Sequence, residues 1–113
     1  MSAPARGEVW LADLNPTRGH EQAGRRPVLV VSDDLFNLAP AGLAIVLPRT
    51  STVRNVPSHV PVSPPEGGVK SRTAILCEGV RSVSVERLVE RWGAVSRQTK
   101  ATVEDCLRIL LRL

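Results

Sequence analysis

The stretch EVWLADLNPTRGHEQAGRRPVLVV, residues 8–31, sets a polar loop between two apolar runs. Glu8–Leu14 mixes apolar and polar residues in a loose alternation that predicts a half-buried strand. Pro27–Ser32 is a β-branched run that predicts a central strand, and Pro27 stiffens the exit of the loop. Gly19 and Gly24 bracket the polar residues and allow tight backbone close to a ligand. A loop this charged, on so small a protein, is a candidate place for chemistry on an anion.

The rest of the chain predicts a mainly β fold with short helices. Strands are expected at four short apolar runs: Leu43–Leu47, ended by Pro48; His59–Val62, at a sheet edge because of Pro61; Thr73–Glu78; and Leu88–Val95. One helical turn is expected at Asp33–Leu38, and loops at residues 49–57 and 63–71. A final helix begins after Ser96, with an apolar stripe of Val103, Cys106, Leu107, Leu110 and Leu113. These elements predict a small, partly open barrel with a C-terminal α-helix.

Length and composition predict one cytoplasmic domain. The chain has 113 residues, which is the size of a single domain, so we assign one domain to residues 1–113. Cys77 and Cys106 lie in apolar runs without metal-ligand spacing, which favours buried thiols in a reducing compartment. No apolar stretch reaches the roughly 20 residues that a membrane-spanning helix needs.

The charge distribution favours an anionic partner. The net charge is +4, and thirteen of the fifteen basic residues are arginine, whose planar fork of donors suits phosphate. Many of these arginines lie in or beside predicted loops, so nucleic acid is the first candidate. Aromatic residues are few, with two Trp, one Phe and no Tyr, which argues against a base-stacking platform.

The motifs that would support other chemistries are absent from the sequence. There is no HxxxH, CxxC or spaced carboxylate cluster for a metal, no phosphate-binding glycine loop and no nucleophile elbow. RNA carries its own nucleophile, the 2′-OH, so an enzyme need only align it, move protons and stabilise the charged phosphorane. Arg26 can supply the charge, Thr50 a hydroxyl donor and Glu21 a basic carboxylate. His20 and His59 offer a two-histidine alternative, but His59 lies in a strand where packing or a backbone hydrogen bond is expected.

The segments RGEVWLADLNPTRGHEQAGRRPVLVVS, IVLPRTST, VPSHV and ILCEGVRSV resemble, in this order, the MazF/PemK (Kid-like) toxins of bacterial toxin–antitoxin systems. The most specific part is the pattern G-x-E-Q-x-G-x-R-P, which starts at Gly19. The resemblance implies an SH3-like barrel of the CcdB/PemK type that works as a homodimer. It also implies sequence-specific, metal-independent cleavage of single-stranded RNA, chiefly mRNA, giving a 2′,3′-cyclic phosphate and a 5′-OH. An acidic, partly disordered MazE-like antitoxin would lay an extended segment along the RNA groove.

The resemblance also assigns roles residue by residue. Arg26 matches the family's catalytic arginine, Thr50 its catalytic threonine and Glu21 its loop glutamate. Glu78 and Arg81 fall where family members contact RNA. The remaining candidates for contact with RNA are polar or basic residues in loops and at strand ends: His20, Gln22, Arg25, Arg49, Arg54 and Arg72. The chain departs from the family at Gly79, where many members carry glutamine, and this departure bears on base recognition.

Structural roles and two other functions stay open at this stage. Arg26 could pair with Asp13 or Glu78 across the sheet, Thr50 could be a turn residue, and Glu78 could be an arginine's structural partner. The CcdB toxins, which poison gyrase, share a similar barrel but act through a Trp-Gly pair at the extreme C-terminus. Here Trp92-Gly93 precedes the last helix, which argues against that mode. A non-catalytic RNA-binding barrel is the other alternative.

Overall fold

The two apolar runs of residues 8–31 form a pair of neighbouring antiparallel strands. The computed structural model describes residues 3–14 and 24–113, and most of the polar loop between the two apolar runs lies outside these residues. Strand β1 (Glu8–Asp13) pairs with β2 (Arg25–Val30) in a register that sets Val9 opposite Leu29 and Ala12 opposite Arg26. The end of β1 and the start of β2 therefore lie side by side, at one end of these two inner strands.

The mainly β fold is confirmed, and seven strands form one antiparallel sheet. After β2 come α1 (Asp34–Leu38), β3 (Leu43–Thr50), β4 (His59–Val62), β5 (Thr73–Leu76), β6 (Arg81–Ser84), β7 (Leu88–Ala94) and α2 (Arg97–Leu111). The strand order is β4-β5-β3-β2-β1-β7, and β6 also pairs with β3. Among the described residues, the two outer strands β4 and β7 do not pair with each other, so the sheet is open. An open sheet agrees with the predicted partly open barrel. Within the described ranges, no helix has both the length and the apolar character needed to cross a membrane.

The central strands bury both of their faces, and this explains why β1 alternates only loosely. Val9, Leu29 and Leu47 belong to one core cluster, against which Cys106 and Leu107 of α2 pack. The neighbouring residues of these strands point the other way, and Trp10, Val28 and Val46 belong to a second cluster. Strands that are buried on two sides need no polar face, so their sequence reads as nearly continuous apolar residues.

The beginning of α2 is fixed by polar contacts. The Ser96 hydroxyl accepts a hydrogen bond from the Thr99 amide at 3.1 Å, which confirms the predicted cap. Glu66 accepts a hydrogen bond from the Ser96 amide at 2.9 Å and so ties the loop after β4 to the helix. Val103 is buried against the sheet. The apolar residues near the other end of α2, which are Ile109, Leu110, Leu111 and Leu113, are exposed.

The structure corrects the ends of two predicted strands and adds a strand that was not predicted. Pro48 does not end β3, because it lies between the ladder to β6, which ends at Val46, and the ladder to β5, which starts at Arg49. A missing N–H at that switch costs no ladder hydrogen bond. Strand β5 stops at Leu76, and Glu78 lies in a 3₁₀ turn, Cys77–Gly79, instead of a buried strand. Strand β6 was missed because it is short and mostly polar, and it pairs with β3 alone.

Candidate nucleic-acid interface

Arg26 and Thr50 lie at the same end of the sheet, where β2 begins and β3 ends; this end of the strands is called the arginine edge below. The ladder between these strands sets Val28 opposite Pro48 and Val30 opposite Val46. Val28–Pro48 is the last pair of this ladder, and Arg26 and Thr50 each lie two residues beyond it at the same end of the sheet. Because side chains alternate along a strand, both residues fall on the face that buries Val28 and Val46 further in. This end of the sheet therefore carries a guanidinium and a hydroxyl on one face.

Thr50 is held by hydrogen bonds on its backbone and on its side chain. The Thr73 hydroxyl donates to the Thr50 carbonyl at 2.9 Å, and β5 pairs Ala74 with Thr50. The Thr52 amide donates to the Thr50 hydroxyl oxygen at 3.1 Å. A hydroxyl that accepts a backbone hydrogen bond keeps its own proton for another partner. This bond from the amide two residues on is the ST turn that the alternative of a turn residue expects, and it leaves the hydroxyl proton of Thr50 available for another partner.

Arg49 lies close enough to Arg26 for the charge of Arg26 to act on it. Partial burial lowers the pKa of Arg49 from 12.5, and the nearby charge of Arg26 lowers that pKa further. Arg49 borders a small apolar cavity that Leu47, Val62 and Ile75 also line. In residues 3–14 and 24–113, no ion pair involves Arg26 or Arg49, so the expected alternative of an Arg26 pair with Asp13 or Glu78 is not found there. Two cations whose charges act on each other at one end of the sheet favour an anionic ligand.

Glu78 is exposed on the turn that follows β5, and its partner is a histidine, not an arginine. His59 Nε2 lies 3.0 Å from Glu78 Oε2. Burial alone would raise the pKa of Glu78, but hydrogen bonds from Ser58, from its own amide and from His59 outweigh that effect and lower it. The carboxylate is therefore ionised at neutral pH and fixed in position.

The turn that carries Glu78 packs on β3 next to Thr50. A side-chain Cβ at Gly79 would lie 2.6 Å from Pro48 Cγ and 2.9 Å from Pro48 Cδ, closer than carbon atoms pack. Pro48 is two residues from Thr50, and the alternation of β3 puts both on the same face. Glu78 therefore belongs to the same surface as the Arg26–Thr50 edge. The close contact also explains the glycine at a position where many similar toxins carry glutamine.

The other predicted contact residues are distributed around this edge. Arg25 is exposed opposite Asp13, Arg54 and Arg72 are exposed in connections that flank β4 and β5, and Arg81 is exposed opposite Val46. Their contacts with RNA stay predictions. The predicted residues His20, Glu21 and Gln22 lie outside the described residues.

Sequence reasoning missed two structural partners at this surface. Pro48 was interpreted only as a strand end, and His59 as a packing residue. The available signal was the departure at Gly79, because a glycine in a buried turn indicates close approach of another group.

The fold defines a small antiparallel β protein that carries Arg25, Arg26 and Arg49 together with Thr50 at one end of its sheet. Residues 5–111 match the model of the family described as PemK-like, MazF-like toxin of type II toxin–antitoxin system. The chain belongs to this family, as its sequence predicted.

Named relatives cover almost the whole chain. Endoribonuclease MazF9 of Mycobacterium tuberculosis is 35% identical over 113 residues, covering 96% of each chain. The crystal structure of MazF from Deinococcus radiodurans matches with a TM-score of 0.84 at 30% identity, covering 100% of both chains. A MazE–MazF crystal structure from the same organism matches with a TM-score of 0.83 at 31% identity, covering 100% of this chain and 99% of that one.

Proposed function

We propose that this chain is a toxin endoribonuclease that cleaves single-stranded RNA, chiefly mRNA, at specific sequences and without a metal ion. The proposal rests on one observation: Arg26 and Thr50 lie on one face at the same end of the sheet, and Arg49 is close to Arg26. Family membership and the relative named as an endoribonuclease support the same activity. Work on mRNA would place the protein in the cytoplasm, where it would arrest translation and growth.

In the proposed reaction the RNA supplies its own nucleophile. The 2′-oxygen attacks the adjacent phosphorus while a base, assigned to Glu21, takes the 2′-OH proton. The bond from phosphorus to the 5′-oxygen breaks, that oxygen takes a proton from solvent and leaves as a 5′-OH, and Glu21 returns its proton to solvent. The products are a 2′,3′-cyclic phosphate and a 5′-OH end, so no water is consumed and no cofactor takes part.

The described residues supply charge and hydrogen bonds to the transition state. Arg26 is exposed at the edge and keeps its charge, so its guanidinium can neutralise the phosphorane oxygens. The Thr50 hydroxyl, held by the Thr52 amide, can donate to a phosphate oxygen. Arg49, which is partly buried and close enough to Arg26 for the charge of Arg26 to act on it, adds positive charge near that guanidinium. Preorganised donors of this kind are typically worth about a hundredfold to a thousandfold in rate.

Two protein partners belong to the proposal. The exposed apolar residues Ile109, Leu110, Leu111 and Leu113 at the end of α2 support a homodimer, since a patch of this kind is seldom left in water. The Deinococcus radiodurans relative is seen in a MazE–MazF structure, which supports a MazE-like antitoxin as the second partner. An acidic segment laid along the arginine edge would compete directly with RNA.

The test is cleavage of a long single-stranded RNA by the purified protein in EDTA. We expect cyclic-phosphate ends from the wild type and a loss of about a thousandfold in rate for Arg26→Ala. Arg97→Ala, which removes the same charge from an exposed position at the start of α2, is the matched control and should cut normally. Intact RNA with the wild type would refute the enzyme and favour a binding role. Normal cutting by Arg26→Ala would refute the site.

A further inference from the structure

His59 and Glu78 form a pair whose two members differ sharply in exposure. The side chain of His59 is 12% exposed and that of Glu78 is 47% exposed, with 3.0 Å between Nε2 and Oε2. His59 begins β4, whose residues pair with β5, and Glu78 lies just beyond the end of β5. The histidine is thus part of the sheet, whereas about half of the carboxylate residue is open to solvent.

The second ring nitrogen of His59 determines how the pair is bonded. His59 Nδ1 is buried and has no hydrogen-bond partner within the part of the chain that the structure describes. In the neutral ring the proton then belongs on Nε2, from which it donates to Glu78, and Nδ1 holds only a lone pair. The opposite tautomer would bury an unpaired N–H and would set two acceptors against each other. The ring therefore acts as a one-directional donor to the carboxylate.

The carboxylate of Glu78 is held from the protein side and open to solvent on the other. Its support comes from Ser58, His59 and its own amide. The Cys77 amide, which donates to the Ser58 carbonyl at 3.0 Å, anchors the turn itself. An ionised carboxylate has four lone-pair positions and no proton to donate, so the open side can only accept hydrogen bonds.

We propose that His59 is the positioning residue for Glu78, and that the carboxylate so held selects an amino-bearing base, adenine, cytosine or guanine, over uracil beside the cleaved bond. Exocyclic amino groups donate to carboxylates from the open edge of a base, whereas the single donor on the pairing edge of uracil, N3–H, lies between two carbonyl oxygens that the carboxylate repels. The side chain of Glu78 is 47% exposed, so a base can approach the carboxylate from solvent. This inference rests on the proposed ribonuclease activity and specifies how that site reads its substrate.

The first arm of the test measures base preference. The cleavage consensus is mapped from the 5′-OH ends of cut transcripts, and each amino-bearing base in it is then replaced by its deaminated counterpart. For the base read by Glu78, we expect wild-type kcat/KM to fall about tenfold to a hundredfold on deamination. The ratio of kcat/KM for the amino-bearing RNA to kcat/KM for the deaminated RNA should fall to nearly one in His59→Leu and in Glu78→Gln. His59→Gln, whose amide nitrogen can stand where Nε2 does, should keep most of the wild-type ratio.

The second arm does not depend on RNA cleavage. The carboxyl carbon of Glu78 is followed by NMR as pH is lowered. We expect the pKa of Glu78 to rise in His59→Leu and to stay lowered in His59→Gln. If His59→Leu does not fold, His59→Asn replaces it, because the shorter polar side chain cannot reach the carboxylate.

The two arms separate failure of this inference from failure of the proposed function. If the wild type cuts no RNA, the proposed function fails, and the NMR arm still decides whether His59 holds Glu78. If the wild type cuts RNA and folded His59→Leu keeps both the base preference and the lowered pKa, the positioning role is overturned. If deamination at every consensus position leaves wild-type kcat/KM unchanged, the selection of an amino-bearing base is overturned.

Discussion

The contact between Gly79 and Pro48 gives a sharp prediction about stability. A Cβ added at Gly79 would lie 2.6 Å from Pro48 Cγ, where carbon atoms normally stand about 3.5–4.0 Å apart. Gly79 is not among the residues with positive φ, so backbone conformation does not explain the glycine. The only obstacle to a side chain is the proline ring.

The expected cost follows from the rigidity of both partners. The turn cannot move away easily, because Cys77 is fully buried and its amide is bonded to the Ser58 carbonyl at 3.0 Å. Overpacking a site that cannot relax costs typically about 1–3 kcal/mol. We therefore expect Gly79→Ala to lower the free energy of unfolding by about 2 kcal/mol. Gly79→Gln, which restores the residue that many similar toxins carry, should cost at least as much.

A double-mutant cycle measured by urea unfolding isolates this contact. Pro48→Ala removes Cγ and Cδ, the two atoms that the new Cβ would meet. In that background Gly79→Ala should cost less than about 0.5 kcal/mol, giving a coupling energy of about 1.5 kcal/mol. Equal costs in both backgrounds would contradict the reasoning, because the penalty would then arise elsewhere.

Three further predictions concern the core and its titratable groups. Burial would raise the pKa of Glu8, but hydrogen bonds from Arg91, Trp10 and the Ala5 amide outweigh burial and lower the pKa below 4.5. The ionised carboxylate therefore stabilises the folded state above pH 4.5, and this contribution is lost as the pH falls through the lowered pKa. In urea unfolding, Glu8→Gln should lack this loss of stability at acid pH. Burial and a hydrogen bond with Cys106 raise the pKa of Cys77 to about 12, so iodoacetamide should leave Cys77 unmodified in the native protein and label it only after unfolding, as read by mass spectrometry. Asn37→Ala should lower the free energy of unfolding by about 1–3 kcal/mol, since Asn37 is buried and donates to the Pro4 carbonyl at 3.0 Å; a loss below 0.5 kcal/mol would contradict the importance of that bond.

Much of the fold could be predicted because it depends on local patterns. The runs at β1 and β2 are dense in apolar and β-branched residues, and Ser96 and Asp33 cap helices where their side chains predict. The bounds of β3 were not predictable, because the effect of Pro48 depends on which strands lie on either side of it. Strand β6 carries only one buried residue, Val83, so its pairing is a tertiary effect.

Part of the candidate site could likewise be proposed from the sequence, and part could not. Arg26 and Thr50 could be proposed from the sequence because a cation precedes one apolar run and a hydroxyl follows the next, and the antiparallel pairing of β2 with β3 puts both at the same end of the sheet. The partnership of His59 with Glu78 could not, because it joins residues nineteen positions apart through the pairing of β4 with β5. Glu21 remains a prediction, since it lies outside the described residues.

The most direct test of the central claim is the chemistry of the RNA ends produced in EDTA. We expect the wild type and Arg97→Ala to give 2′,3′-cyclic phosphate and 5′-OH ends. Thr50→Val should be slowed about a hundredfold, and Arg26→Ala about a thousandfold, while both stay folded. Ends of any other kind, or equal rates for Arg26→Ala and Arg97→Ala, would contradict the assignment of the reaction to this edge of the sheet.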